Sequence, residues 1–106
     1  MSRALGVGTV TVLDAIERRA CYGLDIAQRT GLLPGTVYTT LRRLERRGLV
    51  DGDWEDPEVA AEGRRPRRRY YTLTPDGRVA LQAARERLEA LGFRSGPGLA
   101  VAGDAE

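Results

Sequence analysis

The sequence predicts a mainly α-helical domain that carries one small β-hairpin. Three observations support this fold class. Apolar residues recur at helical spacing in three consecutive segments before residue 48. Two short segments rich in β-forming residues follow, and each is bounded by Gly or Pro. A fourth helical segment then begins with a capping signal at Thr74 and Pro75.

The first two helices lie in the N-terminal third of the chain. We expect a flexible N-terminus over residues 1–8 and a first helix from Thr9 to about Cys21. Its apolar positions share one stripe: Val12, Leu13, Ile16 and Ala20. A short second helix follows Gly23, with Asp25 in the first turn, where a carboxylate stabilises the positive end of the helix. Gly31 stands where a left-handed cap residue is expected.

The third helix begins at Pro34 and ends before Gly48. Proline is tolerated at the first helical position because its missing N–H would have no partner there. Val37, Leu41 and Leu44 form a stripe that faces the core. The remaining positions fall on the opposite side or on the flanks: Thr36, Tyr38, Thr39, Thr40, Arg42, Arg43 and Arg46.

Two alternating segments, residues 49–55 and 67–73, predict an antiparallel hairpin with a long tip over residues 56–66. We expect Trp54 and Tyr71 to pack on its inner face.

The fourth predicted helix runs from Pro75 to about Leu91. Its apolar residues form a short seam that resembles a coiled coil. We expect this seam, with two residues of the first helix, to join two subunits; the residues are Val10, Leu13, Leu81, Ala84, Leu88 and Leu91. Residues 75–92 would then be a dimerisation helix after a domain over residues 9–74, and residues 93–106 a disordered tail.

The composition excludes several classes of protein. The 106 residues suit one small domain, and no apolar run is long enough to cross a bilayer, so we expect no membrane partner. The chain has no His and one Cys, so we expect no catalytic residue, no metal site and no cofactor. The N-terminus carries no secretory signal, and a lone Cys fits a reducing compartment; we expect a cytoplasmic protein.

Charge is strongly segregated along the chain although the net charge is only +2. Residues 22–50 hold five Arg and two acids, residues 51–62 hold six acids and no base, and residues 63–70 hold five Arg and no acid. Two tight basic clusters favour nucleic acid as a partner, whereas a solvated surface is the simpler alternative.

The order helix, helix, turn, helix, hairpin, helix is that of a winged helix-turn-helix. In that fold the second helix of the helix-turn-helix, here the third of the chain, enters the major groove of DNA.

Several segments, in the right order and spacing, carry a more specific resemblance. They are residues 31–45, Gly48-Leu49-Val50, Trp54-Glu55, Gly63-Arg64, residues 65–74 and Pro75-Asp76-Gly77. Over about residues 5–91 the sequence resembles the PadR family of bacterial transcriptional regulators. The resemblance implies a homodimeric repressor or activator that often responds to a small molecule. Two departures are Leu33, where the family often has Ser, and a longer, acidic hairpin tip.

We expect the third helix to contact DNA through Gly35, Thr36, Tyr38, Thr39, Thr40, Arg42, Arg43 and Arg46. The alternatives are a core position for Tyr38, exposed threonines without a role, and arginines that pair with Glu45 or Asp51. We expect Arg64, Arg65 and Arg67 of the hairpin to contact the backbone or the minor groove. In a competing arrangement, Arg67 and Arg69 pair across the strands with Asp51, Asp53 or Glu55. Only Arg64 and Arg65 would then stay free.

The predicted function is a sequence-specific DNA-binding regulator, a repressor acting as a homodimer on an inverted-repeat operator, with an effector of unknown class. The alternative is a winged-helix module that binds proteins and binds DNA weakly or not at all, which the acidic residues 51–62 favour. The lack of His and of a cofactor motif disfavours an enzyme.

Overall fold

Five helices and two strands make up residues 5–92, the part of the chain that the computed structural model describes. They are α1 (Val7–Glu17), α2 (Gly23–Thr30), α3 (Pro34–Arg46), β1 (Val50–Trp54), α4 (Pro57–Glu62), β2 (Arg69–Leu73) and α5 (Pro75–Ala90). The predicted class, mainly helical with one hairpin, is confirmed. The expected tail, residues 93–106, lies outside the described residues, as do residues 1–4.

Helix α1 is the centre of the core. Its residues 10–16 are all buried, and it packs against α2, α3, α5 and β2. A helix that is apolar on most of its circumference must be covered on most sides. Helix α1 begins at Val7, within the segment expected to be flexible, and it ends at Glu17, shortly before Arg19 adopts a left-handed φ of 79°.

Helices α2 and α3 form the helix-turn-helix. Gly31 ends α2 in the left-handed conformation with a φ of 77°, as its position predicted. The Thr30 hydroxyl donates to the Ile26 carbonyl oxygen at 2.7 Å and accepts from the Leu32 N–H at 3.2 Å, which holds the turn. Pro34 begins α3, and Leu33 at the N-cap makes no side-chain hydrogen bond.

Strands β1 and β2 pair antiparallel, with Val50 opposite Leu73 and Trp54 opposite Arg69. On its other side β2 meets the segment after α1, because the Tyr71 N–H donates to the Cys21 carbonyl oxygen at 2.8 Å. The hairpin is thereby attached to the segment between α1 and α2, and its first strand also packs against α3.

The tip of the hairpin contains α4, a helix that the sequence analysis did not predict. Asp56 caps it by accepting from the Glu58 N–H at 2.8 Å, and Pro57 occupies its first turn. The capping signal is the same as at Thr74-Pro75, but a helix of six residues is too short for apolar periodicity to show.

The expected subunit seam is wrong for most of its residues, because it packs inside a single subunit. Five of its six side chains are buried against α1 or α5 of the same chain: Val10, Leu13, Leu81, Ala84 and Leu88. Only Leu91 is exposed, at 67%. The reason is that a helix covering its own core and a helix in a short coiled coil share the same apolar spacing.

Candidate nucleic-acid interface

Helix α3 turns its apolar ridge fully inward. Val37, Leu41 and Leu44 are completely buried in the core. Since helical residues repeat every 3.6 positions, burial of this ridge places the opposite side of α3 in solvent. Gly35, Thr36 and Thr39 lie on that exposed side.

Four arginines continue the exposed side and are called here the arginine row: Arg42, Arg43, Arg46 and Arg47. Among residues 5–92 none of them has an ion-pair or hydrogen-bond partner for its guanidinium group. The expected alternative, pairing of Arg42 or Arg46 with Glu45 or Asp51, is therefore not found there. The row presents four unneutralised positive charges to solvent.

Thr40 does not belong to this surface. Thr40 is only 7% exposed, because it lies on the flank of the buried ridge. The expectation that Thr40 is accessible for DNA contact is wrong. Helical periodicity places Thr40 on the flank of α3, but it does not show whether neighbouring elements cover that flank.

Tyr38 is partly exposed, as a contact to DNA requires, and partly packed, as a core position requires. It is 40% exposed, yet its ring lies so close to Gly23 that a Cβ there would stand 2.3 Å from a ring carbon. The missing side chain of Gly23 thus lets the first turn of α2 support the ring. The Tyr38 hydroxyl has no hydrogen-bond partner within residues 5–92.

The hairpin with its tip helix, residues 50–73, is called here the wing. Arg65 binds Glu55 through two hydrogen bonds, Nη1 to Oε1 at 2.6 Å and Nη2 to Oε2 at 2.8 Å. The expectation that Arg65 is free for DNA is therefore wrong. Arg64 is exposed without a partner in the described part of the chain, and Arg67 donates from Nε to the Glu55 carbonyl oxygen at 2.9 Å.

Glu55 is the buried centre of this wing network. It also accepts from the Arg68 N–H at 3.1 Å and from the Tyr70 hydroxyl at 3.2 Å. The hydrogen bonds from Arg65 lower the pKa of Glu55 from 4.5 to about 2, against the opposing effect of burial. The carboxylate is ionised at neutral pH and holds the base of the tip helix to β2.

Strand alternation explains why the alternative pairing of Arg69 with Asp51 or Asp53 is not found. The register places Arg69 on the same face of the hairpin as Gly52 and Trp54, whereas Asp51 and Asp53 point to the other face. Arg69 instead binds Glu45 of α3, with Nη2 at 2.5 Å from Oε2, and this hydrogen bond raises the pKa of Arg69. No sequence signal relates these two residues, which lie 24 positions apart.

Trp54 and Tyr71 share the inner face of the wing, but only Tyr71 is buried. Trp54 is 57% exposed because it lies beyond the edge of the core. The guanidinium carbons of Arg67 and Arg69 each lie 5.4 Å from the centre of a Trp54 ring. Trp54 therefore forms a cation–π contact with both, which the sequence analysis missed.

A groove of about 550 Å³ separates the wing from α2 and α3. Tyr22, Tyr38 and Trp54 contribute aromatic rings to its wall, and the guanidinium of Arg68 lies 4.0 Å above the Tyr22 ring. Within residues 5–92 no group of three or more His, Cys, Asp or Glu side chains could hold a metal ion. None of the helices in that range is long and apolar enough to span a membrane.

Comparison with known proteins relates this fold and surface to one family. The family model described as "Transcriptional regulator PadR-like family" matches residues 12–83. Transcriptional regulator Rv3488 of Mycobacterium tuberculosis is 45% identical over 58 residues, which cover 55% of this chain and 49% of that protein. The chain thus matches about half the length of this curated relative.

Solved structures agree with the family match. A PadR family transcription regulator from hypervirulent Clostridium difficile superposes with a TM-score of 0.70 at 25% identity, covering 81% of this chain and 91% of the other. The transcriptional regulator BldR from Sulfolobus solfataricus shares the fold, with a TM-score of 0.68 at 23% identity over 82% of this chain and 58% of the other. Because the family model matches residues 12–83 of its 106 residues, the chain belongs to the PadR-like family of transcriptional regulators.

Proposed function

We propose that the chain regulates transcription by binding duplex DNA, with α3 in the major groove of each half-site. The observation that carries the proposal is the arginine row, which is exposed, has no ion-pair partner within residues 5–92, and lies opposite a completely buried ridge of the helix. Family membership supports a regulator and not an enzyme.

The side chains on α3 divide by reach and by chemistry. Gly35, Thr36 and Thr39 occupy the first turns, where short side chains allow close approach to the groove. The guanidinium groups of the arginine row can each form two hydrogen bonds with the edge of a guanine base, or they can neutralise phosphates. Tyr38, braced on Gly23, offers its hydroxyl to a phosphate.

In the wing, Arg64 is the proposed DNA contact, because it is exposed and has no partner in the described region. Arg67 remains a second candidate, since only its Nε is engaged by the Glu55 carbonyl oxygen. A wing arginine at this place would reach the backbone or the minor groove next to the helix site.

We propose a homodimeric repressor. A two-fold dimer would present two equivalent recognition helices, and so would match an inverted-repeat operator. Because the expected seam is buried, the proposed subunit contact uses apolar side chains that stay exposed. Val79 of α5 is 70% exposed, and Leu91 follows the end of the same helix. The aromatic groove beside the wing would be the place for a small-molecule effector, because a ligand there would press on Tyr38 and Trp54.

Selection from a pool of randomised duplexes, followed by fluorescence anisotropy at rising salt, tests the proposal. The double variant Arg42→Ala with Arg46→Ala should bind the selected duplex more weakly and lose about two from the slope of log affinity against log salt, about 0.9 per phosphate contact. The control is Arg18→Ala on α1, which leaves Asp14 its second partner, Arg85. Equal affinity for selected and scrambled duplexes would reject sequence recognition. An unchanged salt slope for the double variant would show that these arginines of α3 do not contact DNA.

A protein-binding module is the second candidate function. Asp51 and Asp53 are exposed on the outer face of the wing and have no partner among residues 5–92. Such a surface repels DNA and suits a basic protein partner. Failure of the chain to be retained on heparin or duplex DNA, at low salt, would favour this candidate.

A further inference from the structure

The Arg69 side chain lies flat across the inner face of the wing. A Cβ at Gly52 would stand only 2.7 Å from its Nε, so the space that Arg69 occupies exists because residue 52 has no side chain. The Trp54 ring at 5.4 Å and the Tyr71 ring at 5.9 Å flank the guanidinium group. Gly52 and the two rings thus form a channel that directs the guanidinium group towards α3.

The partner of Arg69 is the one acidic side chain in the sequence of α3. Glu45 lies among the four arginines of the row, and it is held by Arg69 at 2.5 Å. Both side chains are about 30% exposed, at 27% for Arg69 and 31% for Glu45. The carboxylate is thus accessible to other cations if Arg69 is removed.

Two arginines of the row are the nearest alternatives. Arg42 lies three positions before Glu45, the spacing at which helical side chains of opposite charge pair. Arg46 is the next residue, and Arg42, Glu45 and Arg46 line one shallow depression on the surface of α3. A released Glu45 would therefore draw a guanidinium group away from DNA.

We propose that Arg69 is a positioning residue for DNA binding: it holds Glu45, and so keeps the arginine row free to contact phosphates. This inference rests on the proposed function and assigns a role to a residue that need not touch DNA itself. The same bond joins the wing to the recognition helix, so that the two DNA-contacting elements are held in one relative orientation.

The test is a set of variants measured on a fluorescein-labelled duplex by anisotropy at several salt concentrations. Arg69→Met, which keeps an unbranched chain for the channel, should weaken binding about threefold to tenfold and lower the salt slope by about one. Adding Glu45→Gln to Arg69→Met should restore both values, because the released carboxylate is gone.

A charge-matched control separates this effect from net charge. Arg69→Met combined with Asp51→Asn has the same net charge as the rescued variant, but Asp51 points to the outer face of the wing. It should not restore the slope. Equal rescue by both double variants would overturn the proposal in favour of a general charge effect. Absence of rescue by Glu45→Gln would overturn it in favour of direct DNA contact by Arg69 or of wing orientation alone.

Failure of the underlying function is distinguishable from failure of this inference. If the unmodified chain does not bind the duplex, the proposed function fails. If it binds, and Arg69→Met binds with the same affinity and slope, only the role of Arg69 is rejected. Thermal unfolding of each variant verifies that the differences are measured on folded protein.

Discussion

Single arginines within residues 5–92 differ strongly in environment. There the arginine row is exposed and has no ion-pair partner, Arg65 and Arg69 are bound by carboxylates, and two further arginines adopt a left-handed backbone. These two are Arg19, with a φ of 79°, and Arg64, with a φ of 53°. The left-handed region costs a residue with a Cβ about 1–2 kcal/mol, so an arginine there indicates a use for the side chain or tolerance of strain.

Arg64→Gly should separate stability from DNA binding. Glycine relieves the backbone cost, offset in part by its greater freedom in the unfolded chain, so the free energy of unfolding should stay equal or rise by up to about 1 kcal/mol. Duplex binding should weaken, because the wing loses its proposed contact. Chemical denaturation and anisotropy measure the two effects.

Arg19→Gly is the matched control, since it relieves the same kind of backbone conformation at the end of α1. It should change stability in the same direction and leave duplex affinity unchanged. If both glycine variants bind DNA like the unmodified chain, Arg64 has no part in the interface.

Among the elements, the wing is buried at its base through Val50, Tyr71 and Leu73, and a polar network connects its outer part. Beyond Tyr71 the inner face is open, and Glu55 joins the segment after α4 to the second strand through its bonds to Arg65, Arg68 and Tyr70. A network of this kind fixes one geometry when all its members are paired, and it is sensitive to loss of a charge.

The stability of the wing should therefore fall in acid. Because folding lowers the pKa of Glu55 from 4.5 to about 2, its contribution is complete above pH 4.5 and is lost as the pH falls towards about 2. Glu55→Gln should be less stable than the unmodified chain at neutral pH. The difference between the two thermal midpoints should shrink over this pH interval, and a difference that is constant with pH would contradict the assignment.

At the scale of the whole molecule, α5 is part of the subunit core. Besides its apolar seam, it is joined to α1 by Arg85, which binds the buried Asp14 and, at 2.7 Å, Glu17. Arg87 donates to the Leu5 carbonyl oxygen at 2.6 Å. These contacts fix α5 before any second subunit is present.

Leu81→Ala should consequently destabilise the subunit itself. Truncation of a completely buried leucine lowers the free energy of unfolding by about 2–5 kcal/mol, independent of protein concentration. Val79→Ala, on the exposed side of the same helix, should change it by less than about 0.5 kcal/mol and weaken self-association. Denaturation measures the free energy of unfolding, and sedimentation at several concentrations measures self-association. If Leu81→Ala weakened self-association without lowering the free energy of unfolding, the seam would be part of the subunit interface.

The sequence predicted the elements whose signals are local. Proline at position 34, glycine at position 31 and the apolar stripe of α3 each act within a few residues, and the helix-turn-helix follows from them. The tip helix escaped detection because it has fewer than two turns. For the candidate site, the exposed side of α3 was predicted except at Thr40, whose flank position depends on how neighbouring elements cover the helix.

Helical geometry relates the apolar ridge of α3 to the arginines on its opposite side, so the sequence alone predicts that the ridge points inward and the arginines outward. Tertiary contacts establish which arginines within residues 5–92 lack a partner. Arg65 and Arg69 are matched to carboxylates across 10 and 24 residues, by a strand register and a helix contact that local sequence does not encode. Tertiary packing also places the leucine seam against the core of its own subunit. The spacing of apolar residues shows that a helix has an apolar face, but it does not show which element covers that face.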